Sequence, residues 1–359
     1  MQFHEDGYVI GDPLDKPAAP SVAQRTVELP AELDVLIVGT GPAGMLLAAQ
    51  LSAFPKISTR IIEKREGPLQ IGQADGISCR SVETFDAFDF SERIMKEAYW
   101  VNETSFWSPR TDRPTEIHRT GRIQDVEEGL SEFPHLIVNQ ARVLDFFADF
   151  MANSPSKLQT DFGYEFVNLT VADEGSHPVT ATLKKTDGSL ITVRAKYVVG
   201  ADGARSQVRE SIGRHLEGKF QNHRWGVLDV LADTNFPDIR LKSVIRSEQG
   251  SIILIPREGG FLFRIYVDLG EVDPENREKG RDMPVEDVIA TSQQIFEPFT
   301  LEVKHVGWFS IYEVGHRVTD GFDDVPADLR TTRMPRVFTA GDACHTHSAK
   351  AGQGMNVSM

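Results

Sequence analysis

Gly39, Gly41 and Gly44 stand directly after an apolar run at residues 34–38 and before a helix-like stretch at residues 42–53. Glycines at that spacing permit a tight turn. They also let backbone amides at a helix N-terminus come close to a pyrophosphate. Glu63 ends the next apolar run, about 20 residues on, where an acid takes the hydroxyls of a ribose. Two more carboxylates, Asp202 and Asp342, each follow an apolar run that stops at a glycine, within residues 197–206 and 336–343. A carboxylate in that position can accept hydrogen bonds from a polyol chain. Gly352, Gly354, Met355 and Asn356 follow Asp342. Small residues there let the backbone lie along a flat ring, and a helix starting there aims N–H groups at the ring's carbonyl edge; a helix cap with a flexible loop is the plainer reading. Cys344, His345 and His347 are metal-ligand types, but one short segment offers no fourth ligand, so packing is read in preference to a metal site.

Positioning these groups requires particular elements. Residues 35–39 read as a buried strand, 42–53 as its helix and 59–63 as a parallel strand, which makes a βαβ unit. Residues 141–151 have helical spacing. Residues 180–199 read as a hairpin turning at Asp187-Gly188. From Trp225 to Leu269, short strand-like runs alternate with turns, one of them at residues 257–260, which predicts a mainly antiparallel sheet. Residues 285–296 read as a helix, and residues 337–340 return the chain to the first lobe. Residues 92–124 are ambiguous and aromatic-rich, and residues 11–30, with four prolines, read as an extended arm. The expected organisation is a discontinuous dinucleotide-binding domain (1–98, 136–222 and 330–359) and a second sheet domain (99–135 and 223–329).

Bulk properties bound the reading. A chain of 359 residues predicts two lobes. A net charge of -15, from 38 basic and 53 acidic residues, argues against general nucleic-acid or anionic-membrane binding. An anionic substrate then needs a local basic site. Two cysteines, Cys79 and Cys344, fit a reducing compartment. The polar N-terminus shows no signal peptide, and no apolar run reaches membrane-spanning length, so a cytoplasmic protein is expected.

The three motifs together narrow "dinucleotide" to FAD. They resemble the glycine-rich fingerprint, the DG motif and the GD motif of single-component flavoprotein aromatic hydroxylases. Residues 73–80 (QADGISCR), 131–135 (SEFPH), 255–260 (IPREGG) and 341–347 (GDACHTH) are similar to the phenol 2-monooxygenase branch, most closely its 3-hydroxybenzoate 4-monooxygenases. The resemblance runs the length of the chain. It implies an α/β fold: a Rossmann-like FAD-binding domain of the p-hydroxybenzoate hydroxylase type with a mainly antiparallel β-sheet substrate domain. It implies hydroxylation of a phenolic aromatic acid, 3-hydroxybenzoate to 3,4-dihydroxybenzoate, through a flavin hydroperoxide with NADPH and O2. Neutral phenols, or flavin binding without hydroxylation, are the alternatives. A homodimer is also expected.

By position, the resemblance makes Asp75 the base that removes the phenolic proton and Tyr266 the group that holds the phenol oxygen. Lys242 would anchor the substrate carboxylate, and His135 would add a polar contact. Arg80, Gln140 and Arg142 would contact FAD or its phosphates, and Asp202 with Arg205 would serve FAD and NADPH together. Each has a plainer alternative. Asp75 could cap the turn at Gly76, Tyr266 could be core, and His135 could bond a backbone carbonyl. Lys242 could be a solvated strand face, with Arg240 and Arg246 as rival anchors. The chemistry suits the residues, since a phenolate attacks an electrophilic oxygen where a phenol does so poorly, and a buried carboxylate can take the proton. Two departures stand out. Ala349 replaces a proline usual in the family, and the family continues beyond the position of Met359 with a helix over the flavin and a thioredoxin-like domain that this sequence does not contain.

Overall fold

The computed structural model describes residues 12, 14–24, 26–271, 283–347 and 352–359. The chain opens with β1 (Glu32–Val38), α1 (Pro42–Ser52) and β2 (Thr59–Glu63), and β1 pairs with β2 in parallel. The core of β1 is an unbroken apolar run because helices and loops cover both faces of a parallel strand. Pro42 stands in the first turn of α1, where its missing N–H costs nothing, and Ala48 and Ala49 let the helix lie close to the sheet. The ambiguous stretch resolves into helix and strand. After β3 (Gly76–Ile77) and α2 (Cys79–Asp86) come α3 (Ser91–Glu97), β4 (Tyr99–Val101), β5 (Glu103–Pro109) and β6 (Ile117–Gln124). β7 (His135–Ile137) joins β3 and β4 in a small antiparallel sheet, and α4 (Gln140–Asn153) follows, capped by the Asn139 side chain.

β8 (Thr160–Phe162), β9 (Tyr164–Val171), β10 (Val179–Lys185) and β11 (Leu190–Gly200) complete most of the first large sheet. The β10–β11 hairpin turns at the expected place, where Gly188 takes φ +84°. The order is β8-β2-β1-β11-β10-β9. β11 runs parallel to β1, and β17 (Val337–Thr339) lies parallel to β11. After α5 (Gln207–Ser211), the second sheet takes β12 (Leu216–Thr234), β13 (Lys242–Ser247), β14 (Gly250–Pro256) and β15 (Phe263–Glu271). It then takes β16 (Leu301–Thr319) and, near the C-terminus, β18 (His345–Thr346). Its order is β18-β16-β12-β15-β14-β13-β5-β6, antiparallel throughout except where β13 meets β5. α6 (Val285–Ile295) packs on one face with Leu228, Phe236, Ile252, Ile265 and Phe296. α7 (Gln353–Ser358) closes the described chain.

The α/β architecture with a mainly antiparallel second sheet is as expected. The expected break at 222/223 lies within β12, that at 98/99 falls at the start of β4, and that at 135/136 lies within β7, which pairs with both β3 and β4. Among the described residues, no helix is long and apolar enough to cross a membrane.

Candidate active site

The three glycine-and-acid motifs meet at one edge. Gly39 N–H donates to Ile62 O at 2.9 Å, Ala201 N–H to Val38 O at 2.8 Å, and Ala340 N–H to Gly200 O at 2.8 Å. The carboxyl ends of β2, β1, β11 and β17 are therefore side by side, the place where open parallel sheets bind ligands. Gly39 takes φ +101°, and a Cβ there would stand 2.4 Å from Ala201 O. A Cβ on Gly44 would stand 2.1 Å from Gly39 O. These two glycines are thus fixed by packing. Gly41, at the start of α1, has only Ala201 O at 3.9 Å, so its face is open to a bound phosphate.

Glu63 is buried at the end of β2. It accepts hydrogen bonds from Thr40 N at 3.2 Å, Thr40 Oγ1 at 2.7 Å and Arg65 N at 3.1 Å. Burial alone would raise its carboxyl, but the Arg65 and Thr40 hydrogen bonds and the Arg65 charge outweigh it and bring it down to about 2. A depressed carboxylate contributes stability that is fully present above its unfolded value, near 4.5, and lost as pH falls toward 2. Denaturant midpoints measured across that window are expected to fall less steeply for Glu63→Gln than for the parent.

Asp342 opens a 3-10 turn at residues 341–343, where a Cβ on Gly341 would meet Ala43 Cβ at 3.0 Å. The turn therefore sits on the first residues of α1. The Asp342 carboxylate is crowded by protein yet open to solvent, like a group on the floor of a cleft. That crowding raises it, against the opposing charges of His345 and His347. No described residue donates a hydrogen bond to it. An open glycine face, an acid at the end of β2 and an unclaimed carboxylate over the N-terminus of α1 form a donor and acceptor set that fits FAD. Buried Arg209 donates to Ala343 O at 2.9 Å and Ala204 O at 3.1 Å, tying the second motif to the third. Nothing in the sequence pattern singles it out.

Other expected cofactor residues have protein partners. Asp202 caps α5, accepting from Ser206 Oγ at 2.5 Å and Gln207 N at 2.8 Å. Gln140 Oε1 accepts from Gln73 N at 3.1 Å and Ala74 N at 3.2 Å, holding the loop that leads to Asp75. Arg142 pairs with Glu97 and Asp145, which raise it above its usual value, and its guanidinium lies over Phe146. Arg80 is exposed, 3.1 Å from Glu83, and Arg205 is exposed. Gly352 takes φ +61° before α7, Gly354 faces open space, and Met355 is buried in the first core. Asn356 accepts from Ser78 N and Ser81 Oγ, both at 2.8 Å, and donates to Gly76 O at 2.9 Å. It bolts α7 to the Asp75-Gly76 turn. Ala349 lies outside the described residues.

Cys344 is buried, and burial pushes its thiol up to about 11, so it is an inert packing group. His347 and His345 share a hydrogen bond at 3.0 Å.

On the second sheet, alternation brings Tyr266, Arg264, Val227, Asp229, Ile253 and Trp308 to the face opposite α6. Asp75 meets that face. Tyr266 donates to its Oδ1 at 3.4 Å. Arg264 and Arg257 stand 3.3 and 3.5 Å from its Oδ2, at ion-pair distance but without hydrogen-bond geometry. Both arginines are hydrogen-bonded to Asp229. The surroundings of Asp75 are thus buried but charged, not the simple burial the sequence reading invoked. Burial and the charge of Asp75 raise the Tyr266 hydroxyl well above its usual value, against the pull of Arg264, so it stays protonated and serves as a donor. Tyr312, on the same face, is pushed up to about 12, chiefly by burial. Sequence reasoning assigned no role to Asp229, Arg257 or Arg264. For Asp229 and Arg264, a charged residue inside the apolar runs of β12 and β15 was the available signal.

Lys242 and His135 also come together, through a residue the sequence reading missed. Asp125 accepts from Lys242 Nζ at 2.8 Å, from Thr104 Oγ1 at 2.6 Å and from His135 Nδ1 at 2.6 Å. Burial would raise its carboxyl, but these three hydrogen bonds outweigh it and hold it below the usual carboxylate range. The other ring nitrogen of His135 lies 3.4 Å from where a Cβ on Gly76 would stand, beside the Asp75 turn. Of the rival cations, Arg240 stacks on Tyr99 and Arg246 is exposed. A cavity of about 220 Å³ lined by Phe88, Phe90, Phe146 and Phe150 contains none of these groups.

Among curated proteins, the chain is 52% identical to the 3-hydroxybenzoate 4-monooxygenase of Comamonas testosteroni, over 100% of this chain and 57% of that protein. It is 40% identical to the FAD-dependent monooxygenase terD of Aspergillus terreus, over 92% of this chain and 52% of that one. The chain thus spans little more than half the length of these relatives. Among solved structures, p-nitrophenol 4-monooxygenase PnpA from Pseudomonas putida DLL-E4 superposes with a TM-score of 0.71 at 20% identity, covering 91% of this chain and 76% of that one. A ternary complex of aklavinone-11 hydroxylase with FAD and aklavinone gives 0.70 at 20% identity, covering 92% of this chain and 61% of that one. These two establish a shared fold. Residues 32–359 match the sequence profile of the FAD binding domain family, and the chain belongs to that family.

Proposed function

We propose that this chain is the catalytic part of an FAD-dependent monooxygenase that converts 3-hydroxybenzoate to 3,4-dihydroxybenzoate with NADPH and O2. The observation that carries the reading is buried Asp75: Tyr266 donates to one of its oxygens, and the other accepts no hydrogen bond from a described residue. A carboxylate with an unmade hydrogen bond, beside a tyrosine that stays protonated, is suited to receive a phenolic O–H. The name of the Comamonas testosteroni relative supports the substrate.

Gly39, Gly41, Gly44, Glu63, Asp342, Gly352, Gly354 and Met355 would hold FAD. When bound and reduced by NADPH, it supplies activated oxygen from O2. The protein's own part is acid–base work and placement. Asp75 takes the phenolic proton, which leaves charge on the ring carbons ortho and para to the oxygen. Tyr266 donates to that oxygen and fixes it. Lys242, which shares Asp125 with His135, presents its remaining N–H donors to the substrate carboxylate at the far end of the ring. Trp225, Val227, Ile253, Trp308 and Tyr312 form an apolar wall that excludes water. Anchors of this kind act by holding the reacting carbon within roughly 3–3.5 Å of its partner.

Adding 3-hydroxybenzoate to the FAD-loaded protein should perturb the flavin absorbance. Lys242→Met is expected to raise KM for 3-hydroxybenzoate about 10- to 100-fold, the value of a charge-assisted hydrogen bond, and to leave neutral phenols unchanged. Equal behaviour toward both substrate classes would remove Lys242 from the anchor role.

A further inference from the structure

Asp75 faces two guanidiniums and is hydrogen-bonded by neither. Each arginine is locked by another carboxylate. Arg264 gives Nε to Asp229 Oδ1 at 2.6 Å, Nη2 to Asp229 Oδ2 at 2.8 Å and Nη1 to Gln73 O at 2.7 Å. Arg257 gives Nε and Nη2 to Glu258 at 2.9 and 2.8 Å, and Nη1 to Asp229 Oδ2 at 3.0 Å. The Nη1 groups are the ones nearest Asp75, and each already gives one of its two N–H groups to another acceptor. Arg264 is fully buried, and Asp229 and Arg257 are nearly so, which leaves them little room to rotate.

We propose that Asp229 is a positioning residue that keeps Arg264 and Arg257 from hydrogen-bonding Asp75, so that its Oδ2 stays open to take the substrate's proton. A hydrogen bond to an ionised carboxylate favours the charged form. Two guanidiniums moving from ion-pair distance into hydrogen bonds with Asp75 would occupy the oxygen that must take the proton. With Asp229 holding them, the arginines contribute charge near the developing phenolate without capping the base. The step balances within the site: the phenolic O–H bond breaks, its electron pair stays on oxygen, and the proton moves to Asp75. Glu258 plays the same part for Arg257 from a more exposed position. This inference rests on the hydroxylase reading above.

The test uses FAD-loaded protein, NADPH, and a series of ring-fluorinated 3-hydroxybenzoates with increasingly acidic phenols. Asp229→Asn keeps the shape and loses the charge. It is expected to lower kcat on 3-hydroxybenzoate about a hundredfold, the low end of what general-base catalysis supplies. The loss should shrink as the phenol becomes more acidic, with KM little changed. In crystals of the variant, at least one guanidinium should close to hydrogen-bond distance of Asp75. Glu258→Gln, at a less buried position than Asp229, should show the same acidity-dependent loss in weaker form, and it decides the matter if Asp229→Asn does not fold. A loss equal across the series in the variant that folds, or no loss, overturns the proposal. Failure of the parent protein to hydroxylate any member would instead sink the hydroxylase reading, which separates the two failures.

Discussion

Asp75→Asn is expected to reduce hydroxylation of 3-hydroxybenzoate by about 10²- to 10⁴-fold while leaving FAD bound. The substitution keeps size and shape, so the turn into β3 and its backbone bond from Val138 N to Asp75 O, at 2.9 Å, survive. It removes the atom that can take a proton. Arg257 and Arg264 retain Asp229 and Glu258 as partners, so the network stays paired. The loss should therefore appear in kcat, with a smaller change in KM. Steady-state rates with the parent as reference check this. A loss below tenfold, with flavin still bound, would show that the phenol reaches its reactive state without Asp75.

Arg264→Met is expected to cost about 3–5 kcal/mol of stability, the effect of removing one partner from a buried ion network. Arg264 is fully buried and ties β15 to two other segments: β12, through Asp229, and the loop before β3, through Asp75 and Gln73 O. Burial works against its charge, but Asp75 and Asp229 outweigh burial and keep it cationic. Methionine matches much of the volume, so lost packing is minor. What remains is a pair of buried carboxylates with only Arg257 between them. A fall in urea midpoint at unchanged slope would measure the cost. A change under about 1 kcal/mol would mean that the site relaxes or takes in water, and that the network contributes little to the fold.

The fold was legible where its determinants are local. Gly39, Gly41, Gly44 and Glu63 lie within one βαβ unit, so spacing alone places them at the sheet edge. The β10–β11 hairpin was legible from Asp187-Gly188 because a two-residue turn announces itself. α3 and the sheet of β3, β4 and β7 were not, since strands of two or three residues carry no periodicity. Side-chain partnerships were also hidden. Asp202 caps α5, Gln140 holds residues 73–74 and Arg142 pairs with Glu97, partnerships that no spacing rule announces. The charge network round Asp75 joins positions separated by 191 residues, beyond any spacing rule. Asp125, which gathers Lys242, His135 and Thr104, stands at the end of an exposed polar strand where one more acid attracts no notice.

The most direct test of the central claim is a turnover of the FAD-loaded protein with 3-hydroxybenzoate and NADPH under ¹⁸O-labelled O2, with the products read by mass spectrometry. The account predicts 3,4-dihydroxybenzoate carrying one labelled oxygen atom. NADPH consumption that yields hydrogen peroxide and unchanged 3-hydroxybenzoate would contradict it.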